Sequence, residues 1–496
     1  MIPSQNVELI LPADKNFLPL ARAFVRELST LAGLSFQEGK WMELAVEESC
    51  VKTLEQMPDS NDTGTFAFKG ELGHGTLILA VLDQGLPFDP SAEPSYCPSR
   101  VLDMSHVGFS ASGIGLYLIR HAADHIEWIN HGPGGNEMRL TKYLPNPHIT
   151  EHLAKEELTY FSEDEPPAPQ QNYTIRPLLA KEAIMVSQCL YRAYGYSYPD
   201  DYMYYPERIV HMNETGELTS VVALDEAGRV VGHSSLVRHN QASVAELDHA
   251  VVAPANRKGG LLGRMTALLE EIGSKSLRGI YVQAVTSHTF SQRVIKNLGY
   301  KECALWMGLL PSSLFFKKIE SNPLIQRESC AGYYKAIRPP SMSKVYVPDR
   351  HREILRQIYQ HLGMSAEFLE QSEPNGKGAL RVSYNSSLGY GEIKVLQVGQ
   401  DSKAELKRGL SDLLELAGAE AIYLDLPLAQ AGTPELCVAA EAEGFYFSGL
   451  GPHFAPDGDV IALQYLKEEL DASQIQMASP FGQSLLDYIV KHRTTS

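Results

Sequence analysis

At 496 residues the chain exceeds what one ordinary core supports, and a prior of roughly 100–200 residues per domain predicts about three domains. A formal net charge of −17, with no dense Lys/Arg window, argues against a nucleic-acid partner, because neutralising phosphates requires a basic patch. No apolar run reaches the roughly 18 residues of a membrane span, Met1–Asp14 carries no leader pattern, and the cysteines form no C-x-x-C pair. These features predict a soluble, cytoplasmic protein with no membrane contact and no metal centre.

Gln37 to Met57 predicts a helix, with Val46, Cys50, Thr53, Leu54 and Met57 on one apolar stripe and Glu48, Lys52 and Glu55 roughly opposite. Spacing alone reads Glu48 and Lys52 as a surface ion pair worth about 0.2–0.5 kcal/mol. A strand then ends in Val81-Leu82-Asp83-Gln84-Gly85, with Pro87-Phe88-Asp89-Pro90 beyond it. Ser112-Gly113-Ile114-Gly115-Leu116 opens a helix running to Ala123, and Gly135 to Leu140 reads as a terminal strand. In this order the segments resemble the GHKL ATPases, specifically the anti-sigma-factor serine kinases, over about residues 5–145. The resemblance implies ATP binding, with Asp83 reading the adenine amine, Gly85, Gly113 and Gly115 approaching the phosphates, and Glu48 in the place of a general base. It also implies a regulatory protein partner for this domain. Lys52 stands where the family has a magnesium-binding Asn. An ammonium has no lone pair for a hard cation, so Lys52 argues against magnesium and kinase chemistry but not against ATP binding, where it either neutralises phosphate charge directly or pairs with Glu48 and silences it.

The acidic, Pro-rich run 163–172 predicts a linker, and a softer boundary falls near Pro339-Pro340. Between them, Val244–Val252 predicts a strand, Arg257-Lys258-Gly259-Gly260-Leu261-Leu262-Gly263 a loop, and Arg264 onward a helix. Such a loop gathers backbone N–H groups around an anion. The run from Tyr173 to Pro311 resembles the GNAT acyltransferases, opening with Tyr173-Thr174-Ile175-Arg176-Pro177, passing Val230-Val231-Gly232-His233 at a strand end, and closing with Phe290–Tyr300. The resemblance implies that residues 257–263 cradle the pyrophosphate of acetyl-CoA or another acyl-CoA, and that the Val252 N–H polarises the thioester carbonyl. The acceptor would be an amine on a small molecule or a protein. Strand alternation puts Glu246 and Asp248 on one face and His249 on the other; Glu246 is the preferred base and His249 the alternative. Leu262 replaces a small residue of the family pattern, and Ile295 stands where a Tyr often protonates the thiolate. The cluster Tyr191, Tyr194, Tyr196, Tyr198, Tyr202, Tyr204 and Tyr205 falls where the fold builds its acceptor side.

The tail repeats the middle. Gly279-Ile280-Tyr281-Val282, a helix and Gly299-Tyr300 are echoed by Ala421-Ile422-Tyr423-Leu424, a helix from Pro434, and Gly444-Phe445. The echo has no counterpart of the pyrophosphate loop, since the helix from Lys403 follows Val398-Gly399-Gln400-Asp401-Ser402. The expected fold is therefore α/β (α+β) and multidomain: a GHKL-type α/β sandwich followed by two GNAT-like domains, the second degenerate. The expected divisions are 1–148, a linker 149–172, 173–318, a connector 319–348, 349–470 and an extension 471–496. Three readings remain: an acyltransferase governed by nucleotide binding, an anti-sigma-type serine kinase or protein-binding switch that senses acyl-CoA, or a catalytically weak sensor of both ligands. Each accommodates a homodimer.

Overall fold

The computed structural model describes residues 5–56, 64–73, 76–83, 119, 122–130, 135–144, 172–194, 198–239, 243–312, 326–339, 341–370, 376–385 and 388–493. Its N-terminal part is an antiparallel array of β1 (Gln5–Pro12), β2 (Thr65–Gly73), β3 (Thr76–Asp83), β4 (His125–Asn130) and β5 (Asn136–Tyr143), in spatial order β1-β2-β3-β5-β4. Helices α1 (Leu18–Leu31) and α2 (Phe36–Gln56) cover one face, where Val25, Met42, Val46 and Cys50 share a core with Phe66, Phe68, Leu77 and Leu79. The helix expected at 37–57 is thus present one residue earlier, with Val46 and Cys50 of its stripe buried.

The middle part contains β6 (Thr174–Pro177), α3 (Ala183–Tyr194), α4 (Pro206–Thr215), β7 (Leu218–Leu224), β8 (Val230–Val237), β9 (Val244–Val252), α5 (Leu261–Gly273), β10 (Gly279–Val285), α6 (Phe290–Asn297), β11 (Lys301–Leu310) and β12 (Glu328–Ala336). The tail contains β13 (Ser343–Tyr346), α7 (Arg352–Leu362), β14 (Ala366–Leu369), β15 (Ala379–Asn385), β16 (Tyr390–Gln397), α8 (Ser402–Ser411), β17 (Ala421–Pro427), α9 (Thr433–Ala442), β18 (Tyr446–Ala455), β19 (Gly458–Leu466) and α10 (Pro480–Arg493).

Strand pairing makes the internal repeat explicit. In the middle part the spatial order is β8-β9-β10-β12-β11, with β9 and β10 parallel and the other pairs antiparallel. In the tail it is β15-β16-β17-β19-β18, with β16 and β17 parallel and the others antiparallel. Helices α5 and α8 make the matching parallel crossovers, which two adjacent parallel strands require. The repeats join edge to edge where Ala304 of β11 faces Gly449 of β18. Gly449 has φ +154°, and a Cβ there would lie 2.4 Å from the Ala304 Cα, so glycine is what lets the strands meet.

Residues 319–348, expected to be a connector, include β12, which lies between β10 and β11 and is integral to the sheet. Helix α10, in the expected extension, packs on β18 and β11. The two repeats differ at their outer edges. β7 pairs with β8, whereas the corresponding edge of β15 is taken by β4 of the N-terminal part, with Arg381–Tyr384 opposite Ile129–Ile126. Among the described residues seventeen strands therefore form one continuous sheet.

Candidate functional site

The site begins where two parallel strands separate. β9 and β10 pair only over Val244–Glu246 and Gly279–Tyr281. Farther along β9, Val252 faces Gly232 of β8 while the Ala253 N–H donates to the Val231 carbonyl at 2.9 Å. In an antiparallel ladder that makes Val252 a non-bonded pair member, so its N–H and C=O point away from β8, toward the opening.

A 3-10 turn (Pro254–Gly259) follows, then Gly260 at φ +64°, then α5. Leu261, Leu262 and Gly263 thus form the first turn of α5 and are not part of the loop, which corrects the expected start at Arg264. Only at Arg264 does a backbone N–H reach back to Gly260, at 3.2 Å, so the preceding amides form the N–H-rich end of the helix. A Cβ on Gly260 would meet no atom within 4 Å. The rest of the loop is tied down: Asn256 donates to the Tyr173 hydroxyl at 2.9 Å, Arg264 to the Tyr173 carbonyl at 3.2 Å, and Arg257 to the Val252 carbonyl at 3.4 Å. An anchored, open helix N-terminus suits a pyrophosphate. The side chain of Lys258 lies outside the described residues.

The matching place in the tail is filled by protein. The Gln400 N–H donates to the Gly376 carbonyl at 2.9 Å and the Gly378 N–H to Asp401, while Gly399 donates to Ser402 at 2.8 Å. A Cβ on Gly399 would lie 2.1 Å from the Gly378 nitrogen, so the segment 376–378 occupies this helix end.

A polar cluster lies under α3. Strict alternation fails in β9, because a register shift and a left-handed His249 (φ +53°) make a bulge. Instead of facing opposite ways, Asp248 and His249 converge with Asp200, their ligating atoms lying within 4.8 Å of one another. His249 is fully buried; its Nε2 meets Asp200 at 2.9 Å and the Tyr202 hydroxyl at 3.1 Å, and its Nδ1 meets Ser235 at 2.6 Å. Burial opposes its protonation, but Asp248 and Asp200 outweigh burial and raise its pKa. Asp248 accepts from the Tyr198 hydroxyl at 3.0 Å. Buried His233 is pushed down to about 3 by desolvation and then by His249, so it stays neutral and donates Nδ1–H to the His249 carbonyl at 3.0 Å. It lies in the middle of β8, which begins at Val230, so the segment Val230–His233 opens the strand and does not end it as expected.

Glu246 accepts from the Tyr281 hydroxyl and meets His239 Nε2, both at 3.1 Å. Burial raises its carboxyl above the ordinary range, against the opposing pull of His239. Its side chain keeps 13% exposure, whereas that of His249 has none. Ile295 is buried in the core. Asp200 carried no motif of its own; the neighbouring tyrosine cluster was the only signal for that turn.

In the N-terminal part, Asp83 ends β3 and accepts from the Asn136 side-chain amide at 3.2 Å. Glu48 is half-buried on α2. Gly85, Gly113, Gly115 and the Lys52 side chain lie outside the described residues, as does most of the helix expected from Leu116 to Ala123.

Residues 11–142 match the family model of the histidine kinase-like ATPase domain, so the N-terminal part is a domain of that class. Curated relatives include the serine-protein kinase RsbW of Halalkalibacterium halodurans, 23% identical over 150 residues (29% of this chain, 87% of the relative). RsbW of Bacillus licheniformis is 23% identical over 142 residues (28% of this chain, 85% of the relative). Solved structures similar to this chain include aminoglycoside 6'-acetyltransferase type Ii, with 20% identity and TM-score 0.26, over 34% of this chain and 99% of that one. Another is aminoglycoside 6'-N-acetyltransferase complexed with coenzyme A, with 18% identity and TM-score 0.27, over 34% and 99%. Among the described residues no helix is long and apolar enough to cross a membrane.

Proposed function

We propose that the chain is an acyl-CoA-dependent N-acyltransferase, with acetyl-CoA as the natural first donor to test, governed by nucleotide bound to its N-terminal domain. The observation that carries this reading is the separation of β9 from β10 beyond Glu246, beside an open helix N-terminus at Gly260. A thioester threaded there would lay its pyrophosphate on the first turn of α5 and its carbonyl near the Val252 N–H. That N–H would stabilise the oxyanion formed as an amine attacks. Glu246 is the base on this reading: it retains solvent contact, and the burial that raises its pKa makes it a stronger proton acceptor than an ordinary carboxylate. His249, engaged at both ring nitrogens, positions Asp200 and Ser235. With Ile295 in the core, solvent protonates the departing thiolate.

Likeness to RsbW kinases supports a second reading, an anti-sigma-type serine kinase or protein-binding switch whose middle domain senses acyl-CoA. Thermal-shift titrations of the full chain separate the two. Acetyl-CoA should stabilise it, and ATP should do so with little magnesium dependence. No response to acetyl-CoA removes the acyltransferase reading; a strong magnesium requirement and phosphate transfer to a protein serine favour the switch.

A further inference from the structure

A cavity of about 490 Å³ lies between the two repeats, within the size range of small-molecule sites. The middle domain contributes Ser243 and Arg278, which directly precede β9 and β10, and the tail contributes His453 of β18 and Asp459 of β19. The cavity is therefore at the opposite end of the parallel strands from the opening beside Gly260.

Two opposite charges in its lining lack an ion partner. The Arg278 backbone is pinned, its N–H donating to the Ser243 carbonyl at 2.7 Å and its carbonyl accepting from the Ile337 N–H at 3.0 Å. Its guanidinium has no hydrogen bond and no ion pair among the described residues. Asp459 is 1% exposed and accepts only from neutral donors, the His453 N–H at 2.9 Å and the Tyr359 hydroxyl at 2.7 Å. No lysine or arginine pairs with it among the described residues, and a buried carboxylate without a cation is costly. The His453 imidazole does not supply the cation: burial lowers its pKa against the pull of Asp459, and Arg278 lowers it further, so the ring stays neutral. His453 also sits at φ +60°, and among the described residues only it and His249 are non-glycine residues at positive φ. Strained backbone of this kind gathers at ligand sites.

Asp459 would repel a simple anion, and Arg278 a simple cation. Asp457, also in the lining, is engaged by the Gln430 side-chain amide at 2.7 Å. The wall includes the apolar side chains of Met342 and Leu369. We propose that this cavity binds a free α-amino acid with an apolar side chain, its carboxylate on Arg278, its ammonium on Asp459 and its side chain against Met342 and Leu369. A guanidinium matches a carboxylate with two parallel bonds, and each Asp459 oxygen keeps a lone pair for the ammonium. The ligand then bridges the two repeats. Because the cavity is separate from the acyl-CoA opening, it holds this ligand whether or not the chain transfers acyl groups.

The test is titration calorimetry on the full chain, without acetyl-CoA, using L-leucine, L-methionine and L-phenylalanine. Isocaproate and isoamylamine, which are leucine without its ammonium and without its carboxylate, serve as controls. At least one of the amino acids should bind, one per chain, and both controls should bind at least about tenfold more weakly, the scale of one lost charge-assisted bond. Arg278→Gln should weaken the amino acid by a similar factor, and Arg278→Lys should recover part of the loss. Arg278 is exposed, so its variants should melt as the wild type does. Asp459→Asn should weaken binding likewise; if it fails to fold, the Arg278 variants and the two controls decide. No binding of any of the three amino acids, or a control that matches them, overturns the proposal. Undiminished binding to Arg278→Gln also overturns it, by showing that the amino acid sits elsewhere on the chain.

Discussion

Gly260 offers the sharpest test of the cradle. It holds φ +64°, and a Cβ added there would meet no atom within 4 Å, so a substitution introduces backbone strain but no clash. Left-handed backbone costs an L-residue about 1–2 kcal/mol, which lowers the midpoint of a domain this size by roughly 2–8 °C. Acetyl-CoA at about 100 times its Kd should add about 2.7 kcal/mol, or roughly 5–10 °C, to the wild type. Gly260→Glu places a carboxylate at the helix end and should abolish that gain, while Gly260→Ala carries the strain without the charge and should retain most of it. Differential scanning fluorimetry over an acetyl-CoA series reads both quantities. An undiminished shift in Gly260→Glu means that the cofactor binds elsewhere. Loss of the shift in Gly260→Ala as well means that backbone conformation, not charge, was decisive.

Three further outcomes are expected. Burial alone would raise the Glu302 carboxyl, but bonds from His361 at 2.9 Å and Ser479 at 2.6 Å dominate and hold it down to about 2. A depressed carboxylate stabilises the fold above its unfolded pKa near 4.5 and loses that contribution as pH falls toward 2, about 3 kcal/mol in all. Urea unfolding of Glu302→Gln should therefore lack this acid dependence; a slope equal to wild type contradicts it. Gly449→Ala should cost about 1–3 kcal/mol by forcing β11 from β18, and an unchanged melting temperature argues against that contact. Arg208 donates to Thr76 at 3.2 Å and lies 5.9 Å from both the Tyr143 and Tyr202 rings, Tyr202 in turn meeting His249. Arg208→Ala should leave acetyl-CoA binding within twofold while reducing the effect of ATP on turnover; an identical ATP response refutes coupling by this route.

Local chemistry made much of this legible in one dimension. The stripe through Val46 and Cys50 marked a buried helix face, and Gly299 and Gly444, both left-handed, marked the ends of matching helices. The strand, glycine and helix around Gly260 are contiguous, so their sequence order is also their spatial order. Asp200 is different: it comes from a separate turn and reaches His249 only because β9 bulges, and no periodicity announces a single left-handed residue. The same bulge defeated the expectation that Asp248 and His249 would face apart.

Sequence by itself determined the α/β class, the ATPase-like beginning and the repeat, since all depend on local propensity, apolar period and glycine placement along the chain. Only tertiary structure decided how the parts meet. Pairing far along the chain brought β4 onto β15 and β12 between β10 and β11. Sheet edges accept any strand of suitable register and packing, and that choice is settled by the whole fold, not by neighbours in sequence.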